Sequence, residues 1–421
     1  MIPYQTYSAQ ENNSTGLLQI NVVSAETNFP IPDAEISISY TGDPESSLEQ
    51  VVTDSSGQTE EVSLAAPPVE LSRSPSLIQP YSEYTLMVRA PGFEPVAISG
   101  TQILADTIAL QPVRMTPIVD EVSPDVPVVI PEHTLYGDYP PKIAESEVKP
   151  VAETGEIVLS RVVVPQTIIV HDGVPTDPTA PNYYVPYGDY IKNVASSEIY
   201  ATWPRETIIA NVLAIMSFTL NRVYTEWYRN QGYDFTITSS TAFDHKWIRE
   251  RNIYESISEV VDEIFNSYLS RPGIRQPILT QYCDGQRVRC PRWMSQWGSN
   301  TLGEQGYTAI QILRNYYGSD MYINTAEQVS GVPSSFPGTN LTIGSTGEKV
   351  QQVQEQLDVI AGVYTAIPRI TADGVFGEQT AEAVRQFQKI FKLPVTGIID
   401  FATWYRISHI YVGITRIAEY S

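Results

Sequence analysis

The stretch Tyr190-Ile-Lys-Asn-Val-Ala-Ser-Ser-Glu-Ile-Tyr-Ala-Thr-Trp-Pro204 holds one carboxylate, Glu198, between two serines and an Ile-Tyr pair. Pro204 opens a long apolar segment that runs to Gly232. A carboxyl held against apolar side chains at a helix entrance has the ingredients for a raised pKa. Desolvation disfavours its charged form, and such a group can serve as a general acid near neutral pH. From spacing alone the plainer reading is favoured, a first-turn glutamate stabilised by the helix dipole.

Working outward, residues 165–335 read as a mixed α/β unit. Thr167-Ile-Ile-Val170 predicts a strand. A helix is expected over 204–230, apolar on most faces and therefore buried. A second is expected over 248–269, stopped at Arg271-Pro-Gly273, and a third over 308–317, ending at Gly318. Between the last two lies a loop with both cysteines, Cys283 and Cys290, running into Met294-Ser-Gln-Trp-Gly298. The spacing leaves a disulfide, two thiolate ligands of a metal or two ordinary thiols open.

Ala195-Ser-Ser-Glu198, Trp203-Pro204, a long helix and then Ser295-Gln-Trp-Gly298 stand in the order of the SpoIID/LytB family of peptidoglycan-cleaving enzymes. The chain resembles that family over roughly residues 165–325, and two motifs in register are more specific than either alone. The resemblance implies that Glu198 is catalytic and that Ser197, Tyr200, Ser295, Gln296 and Trp297 contact substrate. Ser295 and Gln296 are alternatively placed to orient Glu198, and Asp234, Asp244 and Asp284 are possible helpers. Some relatives bind zinc through Cys and His, but a full ligand set is missing here, so no metal or other cofactor is expected. The family's Gly-Gly-x-Thr segment is also absent, with the cysteine loop in its place.

Of the 421 residues, 26 are Lys or Arg and 48 are Asp or Glu, a balance that argues against a nucleic-acid partner. Residues 1–160 hold 23 acidic and 5 basic side chains (net −18), and the remaining 261 hold 25 and 21 (net −4). That step marks a separable amino-terminal segment. No apolar run reaches the roughly 20 residues of a membrane span. Residues 1–13 lack a basic region and an apolar core, so no secretory signal is expected.

In the first 115 residues short alternating runs recur: Leu18, Ile20, Val22; Ile36, Ile38; Val62, Leu64; and Tyr84 to Val88, with Gly, Pro and Asp turns between them. That pattern predicts a β-sandwich. Ile31-Pro-Asp-Ala34, Thr53-Asp-Ser-Ser-Gly57 and Val88-Arg-Ala-Pro-Gly-Phe93 resemble carboxypeptidase-regulatory-like or transthyretin-like sandwiches. Residues 116–164 read as a Pro-rich acidic linker or pro-segment, solvated and open to proteases.

From Leu341 come Gly344-Ser-Thr-Gly347, Asp373-Gly-Val-Phe-Gly377 with Thr380, Phe387-Gln388, and Gly397 with Asp400, Thr403 and Trp404. This set resembles the small three-helix peptidoglycan-binding domain, with Phe376, Phe387 and Trp404 equally readable as core. The fold class expected is thus multidomain α+β: sandwich (1–115), linker (116–164), SpoIID-like unit (165–335) and peptidoglycan-binding domain (341–415). The order of parts resembles spore cortex-lytic enzymes. It implies cortex peptidoglycan as substrate, storage in the spore as an inactive precursor, and activation by a subtilisin-like germination protease that cuts between about 145 and 164. Lytic transglycosylase chemistry is the expected activity. A muramoyl amidase and a non-catalytic wall-binding protein are the alternatives.

Overall fold

Alternation of apolar and polar residues builds the amino-terminal sheets. In the strand Thr15–Ser24 every second side chain is buried, and Leu18, Ile20 and Val22 are closed to solvent. The computed structural model describes residues 14–118, 127–149, 161–326, 328–330 and 335–415. Thr15–Ser24 pairs in parallel with Ile108–Met115 and antiparallel with Val62–Ala65. A second sheet has the order Asp43–Val52, Glu35–Tyr40, Ser82–Arg89, Val96–Ile103, Val128–Val129. Side chains from both sheets share one core.

Nine α-helices occur among the described residues: α1 (Glu70–Arg73), α2 (Tyr187–Glu198), α3 (Arg205–Tyr224), α4 (Glu255–Ile264), α5 (Gln296–Glu304), α6 (Ala309–Tyr317), α7 (Glu348–Ala361), α8 (Glu378–Ile390) and α9 (Phe401–Thr415). The strand Thr167–His171 forms as expected, between Asn182–Pro186 and Ile237–Thr238. Helix α3 is long and apolar enough to cross a membrane, yet it is the buried axis of the central part. Its interior polar side chains bond across the core: Asn211 Nδ2 donates to Ser299 Oγ (2.8 Å), Ser217 Oγ to the Ile278 carbonyl (2.9 Å), and Asn221 Nδ2 to the Pro277 carbonyl (2.7 Å).

Three expectations need correction. Helix α3 stops at Tyr224, because Glu226 turns to a left-handed φ of 47° and the chain leaves the helix. The second helix is only Glu255–Ile264. Before it, Ile253 and Tyr254 join the sandwich sheet against Leu110 and Ala109, and after it Ser267–Ser270 pairs with Tyr322–Thr325. Tertiary pairing here overrides a helical apolar period. The sandwich is also not a detached module. Arg251, 1% exposed, donates to Gln102 Oε1 (2.8 Å), Asn252 bonds Gln102 in both directions, and Trp203 Nε1 donates to the Ser72 carbonyl (2.8 Å). One hydrophobic core runs through both parts.

The segment expected as a solvated linker is, over 127–149, packed against the central part. His133, Leu135, Tyr136 and Lys149 are buried. The Glu145 amide donates to Gln281 Oε1 (2.9 Å), the Leu279 amide to the Glu147 carbonyl (2.8 Å), and the Lys149 amide to Gln276 Oε1 (2.7 Å). The stretch 145–149 lies along 276–281 with alternate residues inward. Residues 119–126 and 150–160, including Ile157 to Leu159, lie outside the described residues.

The carboxy-terminal helices α7, α8 and α9 enclose a core of their own, in which Phe376, Phe387 and Trp404 are buried. Two glutamines hold its turns in the same way. Gln354 Oε1 accepts from the Gly374 amide (2.9 Å) while its amide donates to Asp373, Val375 and Thr380. Gln388 Oε1 accepts from the Gly397 amide (2.8 Å), and its amide donates to Thr396, Ile398 and Thr403. Gly374 and Gly397 have φ of 74° and 71°, where a side chain would be strained. Gln388→Ala is expected to destabilise this domain by about 1–3 kcal/mol through the orphaned Gly397 amide. Hydrogen exchange across 396–404 should quicken; unchanged exchange would mean that water replaces the glutamine.

Candidate active site

Glu198 is the last residue of α2, not the first turn of a helix. The chain turns extended at Ile199, and the next helix begins only after Pro204. The position reverses the dipole argument, since a carboxylate at a helix C-terminus faces the negative end. Glu198 is 3% exposed. Its Oε1 accepts from the Lys246 backbone amide (2.6 Å) and its Oε2 from the Tyr282 hydroxyl. Gln296 Nε2, at the start of α5, donates to the Glu198 carbonyl (3.0 Å) and ties the motif residues together.

Burial pushes the Glu198 carboxyl above its ordinary value, while Lys142, the Lys246 amide and Tyr282 pull the other way. Burial keeps His245 neutral. The His245 ring lies parallel to Tyr282 at 5.9 Å, and its Nδ1 is 3.1 Å from the Tyr190 hydroxyl. These contacts make a second layer that fixes Tyr282 against the carboxyl. Lys142, from the 127–149 segment, donates to the Asp244 carbonyl and lies over the rings of Phe218 (5.3 Å) and Tyr282 (5.1 Å).

The remaining expected residues divide clearly. Gln296 orients Glu198. Ser295 caps α5, accepting from the Gly298 amide (2.9 Å). Ser197 donates to the Asn193 carbonyl (2.9 Å) inside α2 and is fully buried. Tyr200 and Trp297 are buried too: Tyr200 stacks on His133 at 4.4 Å and packs edge-on to Trp297. In this structure Ser197, Tyr200 and Trp297 are packing residues, not an open glycan platform, because the aromatic rings close on one another. Asp244 is bound by Arg222 (2.7 Å), Tyr228 (2.6 Å) and Thr238. Asp284 accepts from the Arg287 and Val288 amides, both at 2.9 Å, and Asp234 accepts from Asn182 (3.1 Å). None of the three is a partner of Glu198. Cys283 and Cys290 form a disulfide, so neither is a thiolate ligand here.

Sequence reasoning missed Tyr282, Lys246, His245 and Lys142. Lys246 acts through its backbone, which no side-chain pattern reveals. For Lys142 a signal existed: only Lys142 and Lys149 are basic between residues 116 and 160.

Residues 346–407 match the family of peptidoglycan binding domains, so the chain carries such a domain at its carboxy-terminal end. Over 217 residues, 51% of the chain, it is 25% identical to the N-acetylmuramoyl-L-alanine amidase CwlL of Bacillus licheniformis, of which it spans 56%. Among solved structures it is similar to the SleB N-terminal domain (31% identity, 18% of this chain and 99% of that one, TM-score 0.16). It is also similar to the Bacillus anthracis TIE protein (13% identity, 25% of this chain and 17% of that one, TM-score 0.18).

Proposed function

We propose that the chain is a peptidoglycan-cleaving enzyme in which Glu198 is the acid of a lytic transglycosylase. The supporting observation is a single buried carboxyl, raised in pKa, held at both oxygens by fixed donors and without a second carboxylate among its described partners. Protonated Glu198 would give its proton to the glycosidic oxygen of a MurNAc–GlcNAc β-1,4 bond as positive charge develops at the sugar carbon. The sugar's own 6-hydroxyl then attacks that carbon, and the Glu198 carboxylate takes the hydroxyl proton. The product carries an anhydro end, and the acid is restored. One carboxyl suffices for this route, whereas ordinary glycosidases need two.

The domain order supports a cortex-lytic enzyme of the SleC type, kept in the spore until germination. In this reading a subtilisin-like protease cuts between about 145 and 164 and frees the site from the segment over it. The described part of that segment supports the reading through its contacts at the site: Thr134 donates to the Ser197 carbonyl (3.0 Å), and Arg287 of the disulfide loop donates to the Thr134 (2.8 Å) and Tyr136 (2.6 Å) carbonyls.

An amidase is the second reading, favoured by the similarity to CwlL. Its usual zinc asks for clustered ligands, and among the described residues no three His, Cys, Asp or Glu side chains cluster for a metal. Mass analysis of products from cortex glycan, digested with protease-treated protein, separates the readings. Anhydro-muramic ends are expected; free stem peptides would establish the amidase and overturn our reading.

A further inference from the structure

The last carbonyls of a helix have no partner within it, and at the end of α2 each is taken by a group from elsewhere in the chain. Arg251 donates to the Ser196 carbonyl through Nε (3.0 Å) and Nη2 (2.6 Å), Thr134 to the Ser197 carbonyl, and Gln296 to the Glu198 carbonyl. The end that presents Glu198 is thus clamped from three places. Thr134 lies on the 127–149 segment, whose grip ends once proteolysis frees that segment. Arg251 is a different kind of clamp. Its guanidinium is 1% exposed, yet among the described residues its bonds go to neutral oxygens, the Ser196 carbonyl and Gln102 Oε1 (2.8 Å). A cation beside the closing end of a helix is favoured by the helix dipole.

Gln102 belongs to the sandwich strand Val96–Ile103. Beside it, the stretch 250–254 is bonded on one side to the sandwich and on the other to α2. Gln111 Nε2 donates to the Glu250 carbonyl (2.7 Å), the Tyr254 hydroxyl to the Gln102 carbonyl (3.1 Å), and the Tyr254 amide to Ser196 Oγ (3.3 Å). Gln102, Gln111 and Asn252 are closed to solvent. A shared apolar core with its buried polar groups matched in pairs is the anatomy of a permanent assembly. None of these contacts runs through the connection at 150–160. We propose that the sandwich is a lasting part of the working enzyme: it stays on the central part after the chain is cut between 145 and 164, and through Gln102 it steadies Arg251, a positioning residue for the end of α2 that carries Glu198. The cut then frees one end of the 127–149 segment while the clamp at Ser196 remains. The positioning rests on Glu198 being the acid; the lasting contact does not.

The test uses the full chain. A recognition sequence for a site-specific protease is placed between Lys149 and Arg161, and a second between Ile118 and Val128, so that the sandwich can be severed from the 127–149 segment too. After both cuts the sandwich piece should still elute with the central part in gel filtration. High salt should not part them, since both pieces are acidic and attraction between opposite net charges is not what joins them. A sandwich piece that leaves under native conditions overturns the lasting contact.

For the positioning, cut protein is assayed on solubilised cortex glycan. Gln102→Met removes the acceptor at Arg251 and should lower kcat about tenfold or more with KM within about twofold, because a misplaced acid slows the reaction without weakening glycan binding. Gln102→Glu returns an oxygen to Arg251, loses only the donation to the Pro131 carbonyl (3.1 Å), and should recover most of that rate. Arg251→Met should lower kcat at least as far as Gln102→Met, and the glutamine pair covers the case in which it fails to fold. Parent-like kcat in Gln102→Met, or an equal loss in Gln102→Met and Gln102→Glu, overturns the positioning. Cut protein that stays together but yields no anhydro ends supports the lasting contact and tells against the transglycosylase reading alone.

Discussion

Glu198→Gln is expected to lower glycan cleavage by protease-treated protein roughly a hundred- to ten-thousand-fold, the range that a general acid supplies. The amide keeps the shape of the carboxyl, and its oxygen can still accept from the Lys246 amide while its NH2 faces the Tyr282 oxygen, but it has no transferable proton. Its thermal unfolding should stay close to that of the parent. Burial raises the Glu198 pKa, so the parent's activity should be retained above the ordinary glutamate range and fall as pH rises through the raised value. The sign for stability is the same: a carboxyl raised in the folded state favours folding at low pH, and that contribution is lost as pH climbs. The glutamine variant should lack this dependence. Parent-like turnover by Glu198→Gln would remove Glu198 from the chemistry.

The largest stability effect is expected at Arg222. This guanidinium, on the last turn of α3, is wholly buried and holds two carboxylates, Asp244 at 2.7 Å and Glu145 at 2.6 Å. Asp244 is itself closed to solvent. Arg222→Met would leave the buried Asp244 carboxylate without its cation and Glu145 with Lys149 alone, a change that costs about 3–5 kcal/mol. Calorimetry should show the main transition lowered by roughly 6–20 °C, at about 2–4 °C per kcal/mol. The loss should be greatest near neutral pH. Burial works against ionised Glu145, but the Arg222 fork and Lys149 outweigh it and hold the carboxyl below its ordinary value. The parent's stability from that pair is therefore present above the ordinary range and is lost as pH falls through the lowered value. A transition within 2 °C of the parent, well under that range, would mean that Asp244 and Glu145 find other partners.

The same network shows why the 127–149 segment was misjudged from its composition. Glu145 belongs to an acidic, Pro-rich run whose local signals all favour solvent. What draws it inward is Arg222, 77 residues away on another element. A long-range ion pair leaves no trace in a local window, and neither does the backbone pairing along 276–281.

Local rules were sufficient where neighbours in sequence are also neighbours in space. The period-2 strands of the sandwich, the strand Thr167–His171, the start of α6 near Thr308 and its end at Gly318, and the Asp373-Gly and Thr396-Gly turns of the carboxy-terminal domain were all legible. Glu198 was singled out by the motif resemblance, since spacing alone favoured a plain first-turn glutamate. Three things were decided only by the tertiary structure. Glu198 sits at the closing end of its helix because Ile199 breaks the helix and packs inward, not because of any capping signal. Ile253 and Tyr254 became a strand because the sandwich edge offered unpaired backbone at Leu110 and Ala109. The donors on the Glu198 oxygens, an amide 48 residues away and a hydroxyl 84 residues away, converge only when α2, the segment carrying Lys246 and the strand Tyr282–Cys283 meet around α3. Sequence determines what each segment can bury; which groups then face one another is a property of the closed core.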